Sequence, residues 1–179
     1  TEGRGAGNRP EIGEAAANES IDDIKALLST NTKMVFITAA MGGGTGTGAA
    51  PVIAKVAKDM GILTVGIVTI PSRFEGPKRL DQAREGGKRL KEHVDSLIII
   101  DNEKIQRIFG SQTLSSAFAK ANDVLNIAAK GIAEIITLPG YINVDFADVR
   151  TVMTDSGIAI MGAAKASGED RAKRVIAEA

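Results

Sequence analysis

The stretch "AAMGGGTGTGAAPV", residues 39–52, has residue types and spacing that suit phosphate binding. Five glycines occupy positions 42, 43, 44, 46 and 48, with Thr45 and Thr47 between them. So many glycines weaken any regular helix or strand, which predicts a loop. A glycine-rich loop between a buried strand and a helix presents backbone N–H groups to an anion, and the helix dipole favours the negative charge. We expect residues 42–48 to cradle phosphates; the alternative is a turn that binds nothing.

Two familiar phosphate-binding patterns can be compared with this loop. The Walker pattern requires Lys and then Ser or Thr after the last glycine, but Ala49 and Ala50 follow Gly48. The dinucleotide fingerprint is met by Gly44, Gly46 and Ala49, but it also needs an acid at the end of the next strand. The first acid after that strand is Glu75, inside a loop. A nicotinamide-dinucleotide-binding domain therefore stays an alternative.

Two further pairs have spacings that bring their side chains to one helix face. Asp145 and Asp148 are three positions apart, and paired carboxylates can polarise a water or hold a cation. Acids are also common at helix starts, so capping is the alternative interpretation. Phe118 and Asn122 are four positions apart, where an aromatic ring can stack on a base and an amide can bond its edge. The alternative for Phe118 is a place in the apolar core.

The elements that would position these residues alternate along the chain. Apolar runs predict buried parallel strands at 33–40, 63–70 and 96–100. Amphipathic segments predict helices at 10–20, 21–28, 49–60 and 77–93, with Pro51 in the first turn of the third. A long, largely buried helix is predicted at 114–136, then a strand at 157–164 and a helix at 168–179. The order predicts an α/β fold: a doubly wound parallel sheet, a long central helix and the start of a second α/β domain.

Composition excludes several functional classes. The 179 residues carry zero net charge, which gives no electrostatic case for nucleic acid or an anionic membrane as partner. The chain has no Cys and the single histidine His93, so neither disulfides nor thiolate or histidine metal clusters are possible, and we predict no dedicated metal site. No apolar run reaches membrane-spanning length, and no signal peptide is visible. A cytoplasmic location fits.

Several motifs carry a family resemblance. The "GGGTGTG" loop, together with "GRGAGNRPEIGEAA", "FEGPKR", "FAKANDVL" and "NVDFADVRTVM" in this order, resembles the tubulin/FtsZ superfamily of GTPases and its bacterial cell-division branch. The resemblance covers essentially all of the chain. It implies a GTP-binding, GTP-hydrolysing, filament-forming cytoskeletal protein of the mid-cell division ring, with GTP or GDP as ligand and Mg²⁺ beside it.

The resemblance also implies an organisation. Residues 1–113 would be part of the GTPase domain, 114–137 the central helix, 138–149 a catalytic loop and 150–179 the start of the carboxyl-terminal domain. We expect a fragment that lacks the first strands, the first glycine-rich loop, most of the carboxyl-terminal domain and the tail that binds other division proteins.

Individual residues take roles from the same resemblance. The phosphate cradle would comprise Gly42, Gly43, Gly44, Thr45, Gly46, Thr47 and Gly48. The loop that senses the γ-phosphate would comprise Gly5, Ala6, Gly7 and Asn8. Contacts to the ribose, the polar end of the nucleotide and the base would come from Glu75, Arg79, Asn102, Phe118 and Asn122. The residues themselves leave other interpretations open: a flexible start for 5–8, a solvated charged loop for Glu75 and Arg79, and a helix cap for Asn102.

Distance along the chain constrains the acidic pair. About 20 helical residues between Phe118 and the end of the long helix span on the order of 30 Å if the helix is straight. Asp145 and Asp148 would then lie too far away to act on a nucleotide bound near Phe118 in the same chain. The resemblance implies that subunits stack head to tail and that these acids complete the neighbour's site by activating water. A non-catalytic interaction module is the remaining alternative.

Overall fold

A computed structural model describes residues 3, 5–109, 114–138, 144–162 and 164–178, apart from the side chains of residues 106, 109, 114 and 117. The elements in chain order are α1 (Pro10–Glu19), α2 (Ile21–Leu28), β1 (Met34–Ala40), α3 (Thr45–Asp59), β2 (Leu63–Ile70), a 3₁₀ turn (Arg73–Glu75), α4 (Pro77–Lys91), β3 (Ser96–Asp101), α5 (Asn102–Phe109), α6 (Leu114–Thr137), α7 (Phe146–Met153), β4 (Gly157–Ile158) and α8 (Arg171–Glu178).

The strands form one parallel sheet in the order β1-β2-β3-β4. The first three strands and helices α1, α2 and α4 lie within two residues of their predicted bounds, whereas α3 starts earlier than predicted and α5 was not predicted. All residues of β2 except Ile70 are buried. That burial follows from the apolar run, because a central parallel strand is covered on both faces.

Helices cover both faces of the sheet. On one face, Ala54 of α3 and Leu90 of α4 pack in a cluster with Val68 and Leu97 of the strands. On the other face, residues of β2 and β3 pack with α5 and α6, and the buried members are Val65, Ile67, Ile98, Ile100, Ile105, Ala121 and Ala128. The doubly wound α/β architecture is therefore confirmed.

The start of α3 differs from the prediction. The helix begins at Thr45 rather than Ala49, so part of the glycine segment is helical and Pro51 lies inside the helix instead of in its first turn. A Cβ atom at Gly46 would lie 2.5 Å from the carbonyl oxygen of Ala40. A Cβ atom at Gly48 would overlap the carbonyl oxygen of Pro10. These glycines are thus required by the close packing of α3, a reason that composition did not reveal.

The long helix α6 is less buried than predicted. Its buried side chains, among those that the structure describes, are Ala121 and Ala128. Phe118, Ile127 and Ile135 are 41%, 50% and 52% exposed. The prediction of a largely buried helix is wrong because the sheet covers one side of α6 only.

The strand predicted at 157–164 is confirmed only at its start. Gly157–Ile158 pairs in parallel with Ser96 and Leu97 of β3, and the N–H of Gly157 donates to the carbonyl of Asp95 at 3.0 Å. This segment therefore extends the same sheet. The division of the chain at residue 150 stays a prediction.

A buried carboxylate ties β4 to the sheet. Asp95 accepts hydrogen bonds from the N–H groups of Thr64 at 2.9 Å and Asp155 at 3.4 Å. The ammonium of Lys58 lies 3.6 Å from Asp95 and 2.8 Å from Asp155. The hydrogen bond to Asp155 raises the pKa of Lys58 above its ordinary 10.5. The contribution of this ammonium to stability is therefore complete at neutral pH and is lost only as the pH rises through that raised pKa.

We expect Asp95→Ala to lower the free energy of unfolding by about 2–3 kcal/mol, because the buried N–H of Thr64 and the part-buried N–H of Asp155 lose their acceptor. Urea denaturation at neutral pH measures the change. The matched control is Asp59→Ala, an exposed acid at the end of α3, for which we expect a change within about 0.5 kcal/mol. Equal stabilities for the two variants would contradict this role of Asp95.

Candidate functional site

The candidate site is built at the carboxyl ends of the parallel strands. The glycine loop follows β1, the 3₁₀ turn follows β2, and Asn102 follows β3 directly. The N–H of Met41 donates to the carbonyl of Thr69 at 2.9 Å, which holds the ends of β1 and β2 together beneath the loops. Open α/β sheets bind ligands in the crevice at this edge.

The glycine loop is tightly packed on its inner side. Gly42 has a φ of +97° and donates its N–H to the hydroxyl oxygen of Thr47 at 2.8 Å. Thr47 is buried, so this hydroxyl closes the loop, whereas Thr45 is exposed. A Cβ atom at Gly42 would lie 2.7 Å from the carbonyl oxygen of Arg79, but one at Gly43 would have nothing within 4 Å. The inner side of the loop therefore packs against the protein at Gly42, whereas Gly43 faces open space.

The start of α3 offers N–H groups to a ligand. Gly48 makes an early intrahelical hydrogen bond, from its N–H to the carbonyl of Gly44 at 3.0 Å. Gly44 occupies the N-cap position, and no side chain caps the helix. The first helical N–H groups, which include those of Thr45 and Gly46, therefore have no intrahelical acceptor. An anion at this position would meet both those donors and the positive end of the helix dipole.

The 5–8 loop lies against the glycine loop. Gly5, Gly7 and Asn8 have φ values of +74°, +53° and +60°. Ala6 is buried, and its Cβ would lie 2.6 Å from a Cβ atom at Gly44. The structure thus brings together the two segments assigned to phosphate, although they are far apart in sequence.

Glu75 and Arg79 pair with each other beside Gly42. One carboxylate oxygen of Glu75 accepts from the N–H of Ser72 at 3.0 Å, and the other lies 2.9 Å from the guanidinium of Arg79. The side chain of Glu75 is 13% exposed and that of Arg79 48%. The interpretation as a freely solvated loop is therefore wrong for Glu75.

Asn102 is the first residue of α5, but it does not cap that helix. The carboxylate of Asp101 accepts from the N–H of Glu103 at 2.9 Å and so provides the cap. The capping interpretation of Asn102 is wrong. Its amide oxygen is buried and has no hydrogen-bond partner among the described residues, which is unusual for a buried acceptor.

Phe118 and Asn122 lie on the exposed surface of α6. Phe118 is 41% exposed, so the interpretation as a core residue is wrong, and Asn122 is exposed as well. The neighbouring Ala121 packs in the same cluster as Ile105 of α5. This packing places the Phe118–Asn122 turn beside the helix that begins at Asn102.

Asp145 and Asp148 form a reciprocal capping box at the start of α7. Asp145 accepts from the N–H of Asp148 at 3.0 Å, and Asp148 accepts from the N–H of Asp145 at 3.1 Å. Capping is thus confirmed, and a catalytic role stays a prediction. Both residues are exposed. In the segment predicted as a catalytic loop, residues 139–143 lie outside the described part of the chain.

The acidic pair lies far from the glycine loop. Arg150 of α7 donates to the carbonyl of Gly61 at 3.2 Å, just before β2 begins. Helix α3 has 15 residues and runs from the glycine loop to Asp59, next to that contact. At about 1.5 Å per residue, α3 alone separates the two regions by roughly 22 Å.

Sequence reasoning missed Gln82, whose side chain contacts the 5–8 loop. Its signal was weak, since Gln82 sits inside an ordinary charged helix. Within the described residues, no group of three or more His, Asp or Glu side chains is arranged to hold a metal ion. None of the described helices is both long enough and apolar enough to cross a bilayer.

Comparisons with known proteins confirm the resemblance. Residues 1–110 match the model of the Tubulin/FtsZ family, GTPase domain. The chain is 57% identical over 174 residues to the cell division protein FtsZ of Coxiella burnetii, covering 97% of this chain and 45% of that protein. It is 59% identical over 174 residues to the cell division protein FtsZ of Azotobacter vinelandii, covering 97% of this chain and 44% of that protein.

A solved structure shows the same fold. An empty FtsZ dimer from M. jannaschii matches with a TM-score of 0.93 and 49% identity, covering 99% of this chain and 52% of that one. The chain spans about half the length of the relatives it matches. The matched family model, the identities and the shared fold show that the chain belongs to the tubulin/FtsZ family of GTPase domains.

Proposed function

We propose that this chain is the nucleotide-binding part of a GTP-hydrolysing, filament-forming protein of bacterial cell division. The observation that carries the proposal is the glycine loop with the uncapped start of α3, held against the 5–8 loop at the carboxyl edge of a parallel sheet. Family membership supports GTP as the ligand. The name of the curated relatives, cell division protein, supports a role at the division ring in the cytoplasm.

The phosphates would bind at the glycine loop. Gly42–Gly48 and the first N–H groups of α3 would hold the α- and β-phosphates, and residues 5–8 would contact the terminal phosphate. The buried amide oxygen of Asn8 has no partner among the described residues, and oxygen ligands are those that Mg²⁺ prefers. The residues thus fit a Mg²⁺ ion that arrives with the nucleotide and, when bound, neutralises phosphate charge.

The nucleoside would lie toward α5 and α6. Phe118 would stack on guanine and Asn122 would bond its edge, while Glu75, Arg79 and Asn102 would contact the ribose and neighbouring polar groups. The exposure of Phe118 and Asn122 on one turn, beside the start of α5, supports this assignment.

Hydrolysis would require two subunits. Asp145 and Asp148 lie at the end of the sheet opposite to the glycine loop, which supports action on the nucleotide of a neighbouring molecule. The solved M. jannaschii relative is a dimer, which supports self-association. A head-to-tail contact that joins opposite ends of one molecule repeats without closing and therefore produces filaments.

The acids are proposed to position a water molecule rather than to form a covalent bond. Phosphoryl transfer depends mainly on positioning and on charge stabilisation. The carboxylates of Asp145 and Asp148 are held by their reciprocal capping bonds, and each would orient or polarise the attacking water of the neighbour's site.

The test is GTP hydrolysis by the complete gene product as a function of its concentration. We expect the rate per molecule to rise with concentration, together with light scattering from filaments, because each site needs two subunits. Filaments without turnover would favour the non-catalytic interaction module. Binding of NADH, detected by its fluorescence, would favour the dinucleotide-binding alternative, for which Gly44, Gly46 and Ala49 are the matching residues.

We expect Phe118→Ala to weaken GTP and GDP binding alike, by about tenfold, because the loss of base stacking costs roughly 1–3 kcal/mol. Isothermal titration measures both affinities. The matched control is Ile127→Ala on the same helix, which removes a side chain that is 50% exposed and lies away from the proposed base contact. Unchanged affinities in Phe118→Ala would contradict the assignment of this residue to the base.

A further inference from the structure

Gln82 connects helix α4 to the 5–8 loop. Its side-chain N–H donates to the backbone carbonyl of Asn8 at 3.2 Å, across 74 positions of sequence. The opposite orientation of the amide would bring two acceptor oxygens together, so this hydrogen bond defines which atom faces the loop. The other end of the amide, its oxygen, is buried without a hydrogen-bond partner among the described residues.

The 5–8 loop makes few hydrogen bonds of its own, although Arg9 and Pro10, which follow it, pack against Gly44 and Gly48. Three of its four residues have positive φ, a conformation that cannot take part in a strand ladder or a helix. Among the described residues, its contacts include the turn bond from the N–H of Arg9 to the carbonyl of Ala6 at 3.0 Å, the packing of Ala6 on Gly44, and the bond from Gln82. Gln82 thus anchors this loop from a separate helix, through its side chain.

Helix α4 also supports the glycine loop. The carbonyl oxygen of Arg79 lies against Gly42, and Thr47 lies against Gly86 one turn beyond Gln82. Arg79, Gln82 and Gly86 follow one another at three- and four-residue spacing and therefore share a face of the helix. One helix face thus contacts both loops and determines how far apart they lie.

We propose that Gln82 is a positioning residue for the phosphate end of the nucleotide site, which rests on the function proposed above. By holding the carbonyl of Asn8, it keeps the 5–8 loop against Gly44, where it can contact the outer phosphates. The hydrogen bond of Gln82 is made to the loop assigned to phosphate, and not to the residues assigned to the base or the ribose. Its removal therefore weakens binding most for GTP, which carries the terminal phosphate, and least for guanosine, which carries none.

The test compares GTP, GDP and guanosine as ligands of the complete gene product and of its Gln82→Met variant, which keeps the size of the side chain but not its hydrogen bond. We expect affinity for GTP to fall by about three- to tenfold, the scale of one lost hydrogen bond, and affinity for guanosine to change by less than about twofold. GDP should fall between them. Equilibrium titration measures the three affinities, and thermal unfolding monitors folding.

The matched control is Arg84→Met, an exposed residue of α4 that pairs with Asp81; it should change none of the affinities. Gln82→Leu provides a second variant if Gln82→Met is unstable; it removes the donor without adding a charge beside the phosphates and should reproduce the graded loss. An equal loss for all three ligands, or no loss, overturns the positioning role. If the unsubstituted protein binds guanosine and GTP equally weakly, the proposed function itself fails, and the inference fails with it.

Discussion

Replacing Asp148 with Asn should lower GTP turnover by about 100-fold or more, the usual contribution of a positioned acid or base, while GTP affinity stays within about twofold. The amide of Asn can still accept the N–H of Asp145, so the capping box and helix α7 persist and only the charge is lost. Affinity is unaffected because the acidic pair lies at the opposite end of the sheet from the glycine loop. Phosphate release and nucleotide titration measure the two quantities.

A mixing experiment tests whether the acids act between molecules. Asp148→Asn is mixed with Gly46→Val, which we expect to lack nucleotide binding. A junction that combines the nucleotide of the first variant with the acids of the second has a complete site, so activity should partly recover. No recovery at any ratio, with co-sedimentation showing that both variants enter the filaments, would count against action between subunits. Asp22→Asn, an exposed acid at the start of α2, should keep normal turnover and serves as the control.

Replacing Gly46 with Val should weaken GTP binding by about 100-fold or more, which corresponds to roughly 3 kcal/mol. A Cβ atom at Gly46 would lie 2.5 Å from the carbonyl oxygen of Ala40 and 3.3 Å from the Cβ of Ala39. The first turn of α3 must then move away from the end of β1, and its free N–H groups move with it. The branched side chain adds bulk that cannot rotate away from the preceding turn.

The control for this prediction is Gly87→Ala, a helical glycine of α4 whose added Cβ would have nothing within 4 Å. It should leave binding unchanged and stability equal or slightly higher. Circular dichroism establishes whether Gly46→Val is folded at the temperature of the titration. A folded Gly46→Val protein that binds GTP as tightly as the unsubstituted one would remove the phosphate-cradle assignment of residues 42–48.

The sequence by itself determined the alternation of strands and helices and the position of the glycine loop after a buried strand. Apolar runs such as residues 63–70, which are rich in β-branched residues, are typical of strands in a sheet covered on both faces, and β2 forms where its composition predicts. Local patterns of this kind depend on near neighbours in the chain, which one sequence displays directly. The glycine loop and the acidic pair were also visible as motifs, although their roles stay predictions.

Tertiary structure decided what depends on contacts between distant segments. The reason for glycine at 46 and 48 is the approach of Ala40 and Pro10, and no pattern within the loop reveals it. Phe118 is exposed because of the way α6 packs on the sheet, and Gln82 can reach Asn8 only when α4 and the 5–8 loop lie side by side. Burial and hydrogen bonding between distant segments are properties of the assembled fold.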